Sequence, residues 1–129
     1  DYAHHPTEIK VVLEGVKSVY KDYEKICIFQ PHRISRLKDL KKEFTNAFKN
    51  ADKVVLFPIY TAGEKIKLGF SYLNFAKEII KNSKVKLFLV EDKFQLAKYI
   101  KNNIYGKKIV IGMGAGNIST WMRELPKLL

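Results

Sequence analysis

The sequence predicts a three-layer α/β domain of Rossmann-like type, a mainly parallel sheet flanked by helices on both faces. Short apolar runs rich in β-branched and aromatic residues alternate along the chain with stretches whose apolar residues recur at helical spacing. Runs that are apolar throughout, with no polar residue at every second place, mark strands covered on both faces. Such strands joined through helices run parallel, with right-handed crossovers. At 129 residues and 47% apolar composition, the chain is sized for one hydrophobic core, so residues 1–129 are expected to form a single domain.

Pro6 suits the first turn of a helix, where its missing N–H costs nothing, and Ile9, Val12, Leu13, Val16, Val19 and Tyr20 then mark one apolar stripe. KICIFQ (25–30) is the first strand, bounded by charge before it and Pro31 after it. Residues 34–49 read as one helix with Leu37, Leu40, Phe44 and Phe48 facing inward, and KVVLFP (53–58) as a second strand ended by Pro58. IYTAGEKIK (59–67) reads as a loop, and residues 70–82 as a helix through Leu73, Ala76, Ile79 and Ile80. KVKLFLV (84–90) is the third strand; residues 93–104 form a helix through Phe94, Ala97, Ile100 and Ile104. KKIVIGM (107–113) is the fourth strand, and GAGN turns the chain into a last helix carrying Ile118, Trp121, Met122 and Leu125. Ligands of such sheets bind beyond the carboxyl ends of the strands, which selects the loops 30–36, 58–65 and 112–117.

Composition narrows the function classes. No apolar run approaches the roughly 20 residues of a membrane span, and the opening DYAHHPTE has neither the basic nor the apolar region of a secretory signal. A single cysteine, Cys27, allows no internal disulfide and no metal framework, and its place inside a strand marks it as a core residue, so a reducing cytoplasm is expected. The net charge of +11 raises the alternative of a basic α/β nucleic-acid-binding module. Its distribution favours no nucleic acid, because the lysines are scattered singly or in pairs over solvated helix faces. Only three of the 24 basic residues are arginine, and Arg33 and Arg36 lie together in one motif.

That motif is QPHRISR (30–36), which follows the first strand and opens the next helix. Arginines three apart share a helix face, and free N–H groups at a helix start favour an anion. Two guanidinium forks there suit a carboxylate or a phosphate. In DYAHHPTE, the adjacent His4 and His5 of an extended segment point opposite ways and do not make a shared metal site. GMGAGN (112–117) links strand to helix but reads G-x-G-x-G after the last strand, with no acid about 20 residues onward. It is expected to be a glycine turn that permits close packing. No G-x-x-x-x-G-K-[ST], no H-E-x-x-H and no Ser-His-Asp elbow occurs.

DYAHHPTE, FQPHRISR, IYTAGE and GAGNIS occur in that order. Together they make the whole chain resemble the carboxy-terminal domain of the Mur ligases. HHPTE followed, one helix and one strand later, by FQPHRISR carries most of the resemblance. The H-R-x-S-R pair favours the branch that joins L-alanine to UDP-N-acetylmuramate over a murein-recycling branch that shares the HHPT opening. The resemblance implies an ATP-dependent, peptidoglycan-forming ligase of three domains. In it an amino-terminal domain holds UDP-N-acetylmuramate, and a central domain holds ATP and Mg2+ through a phosphate loop. The carboxy-terminal domain brings in L-alanine and closes the site. On this reading the chain is excised from the larger enzyme, which explains the missing phosphate loop, and is inactive alone.

Carried onto this sequence, the resemblance implies that Arg33 and Arg36 grip the L-alanine carboxylate with His32 beside them. It implies that His4 lines the same pocket, Asp1 approaches the ATP ribose and Tyr2 the adenine, with no metal ligand and no catalytic residue in this chain. Two departures stand out. Pro58 occupies the place of an acid that the family usually shows before IYxAGE, so the 58–65 loop cannot act through that acid. Ile34 replaces an aromatic found in many relatives, a change that a hydrophobic side chain tolerates.

Overall fold

The helices and strands can be traced to a few local devices in a computed structural model that describes residues 4–58, 71–103, 106–114 and 118–129. Helix α1 (Pro6–Val19) starts on a capping box: the His5 imidazole accepts from the Thr7 N–H, and Glu8 Oε1 accepts from the His5 N–H at 3.0 Å. Ile9 and Leu13 are fully buried. The predicted stripe fails at its end, where Val19 and Tyr20 are exposed. Tyr20 caps the helix through its N–H to Val16 O, and its ring packs on Tyr23 instead of the sheet.

Strand β1 (Glu24–Gln30) is central, paired in parallel with β2 (Lys53–Leu56) on one side and β4 (Lys108–Gly114) on the other. Strand β3 (Lys86–Leu89) pairs in parallel with β2, giving the order β3-β2-β1-β4. Alternation along the strands builds two cores. Cys27, Phe29, Val54 and Leu56 face the cluster formed with α1, Leu37, Phe44 and Phe48, and α4 (Tyr72–Ser83). Ile26, Ile28, Val55 and Phe57 face α5 (Lys93–Asn103) and α6 (Ile118–Leu128). Helices therefore cover both faces, as the uninterrupted apolar runs predict. Burial of Cys27 raises its thiol pKa, which leaves it an inert core residue.

The predicted helix over 34–49 is two short helices, α2 (Ile34–Asp39) and α3 (Lys41–Thr45). Leu40, at φ −114° and ψ 27°, breaks between them, and its N–H still bonds to Arg36 O. Helix α3 ends at Thr45 because two side chains return to the backbone: Thr45 Oγ1 donates to Lys42 O, and Asn46 Nδ2 donates to the same carbonyl. The turns that follow are held from α4. Ser83 Oγ donates to Thr45 O at 2.6 Å and accepts from the Phe48 N–H, while Asn82 Nδ2 donates to Thr45 Oγ1.

Three further expectations change at the periphery. Leu73 and Ile80 are exposed, and Phe75, Ala76 and Ile79 supply the buried face of α4. Phe94 is 62% exposed, with the Lys93 ammonium 5.5 Å from its ring centre; Leu96, Ala97 and Ile100 face the core instead. Among the described residues strand β3 lies at the edge of the sheet; only Val85 and Val90, which flank it, are buried, and Phe88 and Leu89 are exposed. At the amino ends of the strands, Glu24 accepts from Lys53 at 2.9 Å with Lys108 at 3.5 Å, and the Lys53 contact holds its carboxyl below the usual range.

Candidate functional site

The described carboxyl ends of the strands bring together Gln30 (β1), Phe57 and Pro58 just after β2, and Gly114 (β4). Beyond β1 the chain runs through buried Pro31 and half-buried His32 to Arg33. Arg33 has φ 66° and ψ 128°, a conformation that a side-chain-bearing residue holds at a cost of about 1–3 kcal/mol. It is the cap residue of α2, outside the helix, and is exposed; Arg36 lies within the helix and is half-buried. The expectation that both arginines sit on one helix face is thus corrected: Arg33 lies outside the helix as its cap residue and only Arg36 lies on it. The six-residue α2 is also too short to lend the anion support expected of a helix start. What remains is the pair of guanidinium groups. Arg36 Nη1 is shielded from water and makes no hydrogen bond among the described residues, so it retains a donor for an anion.

His4 and His32 come together, with ring centres 6.0 Å apart in an edge-on arrangement. Glu8, not singled out from the sequence, orients this corner. Its carboxylate accepts from the His5 N–H and lies 3.8 Å from His4 Nδ1, and the His5 bond chiefly holds its pKa down. His5 is used for capping, so the two histidines do divide their tasks.

At the neighbouring strand end, the Tyr72 hydroxyl donates to Phe57 O, and burial raises the phenol's pKa. The described glycines of the run, Gly112 and Gly114, pack closely. A side chain at Gly112 would meet Met122, and one at Gly114, where φ is +152°, would come within 2.9 Å of Gln30 O. Asp1, Tyr2, the 59–65 part of the IYTAGE loop, residues 115–117 and the Ile34 side chain lie outside the described residues. Among the described residues no cluster of His, Cys, Asp or Glu is placed to hold a metal ion, and no helix is long and apolar enough to cross a membrane.

A parallel sheet with helices on both faces defines a Rossmann-like α/β domain, here with two arginines beyond its central strand. Residues 1–116 match the family described as Mur ligase, glutamate ligase domain, and the chain belongs to that family. It is 74% identical over 129 residues to a UDP-N-acetylmuramate–L-alanine ligase of Pelagibacter ubique, covering 100% of this chain and 28% of the relative. A ligase of the same name from Hydrogenobaculum is 40% identical over 127 residues, covering 98% of this chain and 27% of the relative. Among solved structures, a UDP-N-acetylmuramate-alanine ligase from Thermotoga maritima superposes with a TM-score of 0.73 at 28% identity, covering 98% of this chain and 25% of that one. The chain thus spans about a quarter of the length of these relatives.

Proposed function

We propose that the chain is the carboxy-terminal, amino-acid-receiving and site-closing domain of an ATP-dependent ligase that joins L-alanine to UDP-N-acetylmuramate in peptidoglycan precursor synthesis. The observation that carries the reading is the arginine pair beyond the carboxyl end of the central strand, with one shielded Arg36 nitrogen left unbonded among the described residues. Arg33 and Arg36 grip the carboxylate of L-alanine. His32 and His4 form the wall beside it, and this leaves the amine free to point toward the muramoyl carboxylate. Asp1 and Tyr2 reach toward the ribose and adenine of ATP. The similarity to ligases named for L-alanine, at 74% and 40% identity, supports the choice of amino acid.

ATP and Mg2+ supply the activation of the carboxylate and belong mainly to the rest of the parent protein, in the cytoplasm. The described residues contain no cluster fit for the metal, and the sequence holds no phosphate loop of its own. This chain's own contribution is to bind and orient the amino acid and, on closing, to exclude water.

A chimera tests the reading. The chain would replace the matching 129 residues of the Pelagibacter ubique relative, and the purified product would be assayed for ATP-dependent joining of L-alanine to UDP-N-acetylmuramate. Activity within about tenfold of the parent is expected, with this chain alone inactive. A well-folded chimera that does not ligate would refute the assignment.

A further inference from the structure

We infer that Gln30 is a positioning residue that sets the arginine loop by tying it to the start of α6, a role that rests on the amino-acid reading above. Gln30 ends β1 one residue before Pro31 and only 4% of it is exposed. A polar side chain at the end of an apolar strand is retained in a core when it has a specific partner. Here its Oε1 accepts from the Ile118 N–H at 2.9 Å, a buried bond between residues 88 apart in the sequence. That N–H is one of the donors a helix leaves without an intrahelical partner at its start. The carboxyl end of the central strand and the amino end of the last helix are thereby held in one register.

Gly114 makes this closeness possible. It is the β4 residue opposite Gln30, and a Cβ there would come within 2.9 Å of both Gln30 O and Ile118 Cγ2. Three groups thus meet at one point: the Gln30 amide, the Ile118 N–H and the bare backbone of Gly114. Immediately beyond lie Pro31, with no N–H to anchor it, then His32 and the strained Arg33. A loop that begins on this junction inherits its position from it. Small errors of placement are costly for a group that must orient a substrate. Gln30 therefore acts through Arg33 and Arg36, without touching the amino acid.

The test uses Gln30→Met, which keeps the length and removes the acceptor, and Gln30→Glu, which keeps an acceptor at a helix start that favours negative charge. Amide hydrogen exchange on this chain gives a readout that needs no ligand, and the chimera gives the KM for L-alanine and for ATP. Gln30→Met is expected to speed exchange at Ile118 and to shift the amides of His32 to Arg36. It should raise the KM for L-alanine about tenfold and leave the KM for ATP unchanged, and Gln30→Glu should restore all of these to within about threefold. If Gln30→Met proves too unstable to assay, Gly114→Ala perturbs the same junction from the facing strand and should move the same amides and the same KM.

An L-alanine KM within twofold of wild type in Gln30→Met or in Gly114→Ala, while Arg33→Ala raises it, would overturn the positioning role and leave the amino-acid reading intact. An unchanged KM in Arg33→Ala would instead sink the amino-acid reading. The exchange data would then decide separately whether Gln30 sets the loop: unmoved His32 to Arg36 amides would overturn that as well.

Discussion

Replacing Arg33 by alanine in the chimera is expected to raise the KM for L-alanine by about 10- to 100-fold, with a much smaller change in kcat. Hydrogen bonds to charged groups contribute about 1.5–3 kcal/mol each, which corresponds to that range. The interaction with the carboxylate is already made in the ground state and does not strengthen as the amine attacks, so its loss falls on KM. Arg36→Ala should act in the same direction. Its half-buried side chain also packs in the fold, so a modest loss of thermal stability should accompany the kinetic effect, which exposed Arg33 should not show. Steady-state kinetics with L-alanine varied at saturating ATP would check this. An unchanged KM in Arg33→Ala would remove the basis for the carboxylate grip.

Phe29→Ala is expected to be the most damaging single change to the fold, by about 3–5 kcal/mol. Phe29 lies on the central strand with no exposed surface, and its ring centre is 6.0 Å from that of Phe44 and 5.3 Å from that of Phe48. Truncation would leave a cavity walled by two rigid rings and by β1 itself, none of which can collapse freely. Because domains of this size are stable by only about 5–15 kcal/mol, a loss of that size removes a large fraction of the total. Denaturant unfolding followed by far-ultraviolet circular dichroism measures the loss. A cost below about 1 kcal/mol would mean that the core is not centred on β1.

Much of this architecture is legible in the residues. Ile26, Cys27, Ile28 and Phe29 are all apolar because alternate members face opposite clusters, so an unbroken apolar run reports a strand covered on both sides. Edge effects are less visible: Phe88 and Leu89 look like core residues, yet among the described residues their strand has a neighbour on one side only. The break at Leu40 was hidden as well. Helical spacing continues from Leu37 to Phe48, and the turns after α3 are held by Ser83 and Asn82, contributed from a distant helix. Local periodicity carries no information about such partners.

The site divides in the same manner. Arg33 and Arg36 stood out through the scarcity of arginine and their place after a strand, both properties of the sequence. The positive φ of Arg33, which takes it out of the helix, does not follow from residue type, since arginine has no preference for it. Gln30 offered one signal, a polar residue closing an apolar run, but its bond to Ile118 appears only when the two ends of the chain are folded together. The roles of Asp1 and Tyr2 rest on family resemblance alone.

An amide NMR titration of the 129-residue chain with L-alanine, using D-alanine as the control, shows whether the amino acid binds beyond the central strand. Saturable shifts are expected, in the millimolar range of a site that lacks its closing partners. They should be confined to His4 and the His32–Arg36 segment and be produced by the L-isomer only. Equal shifts with both isomers, shifts centred elsewhere, or no saturable change at these residues would contradict binding there.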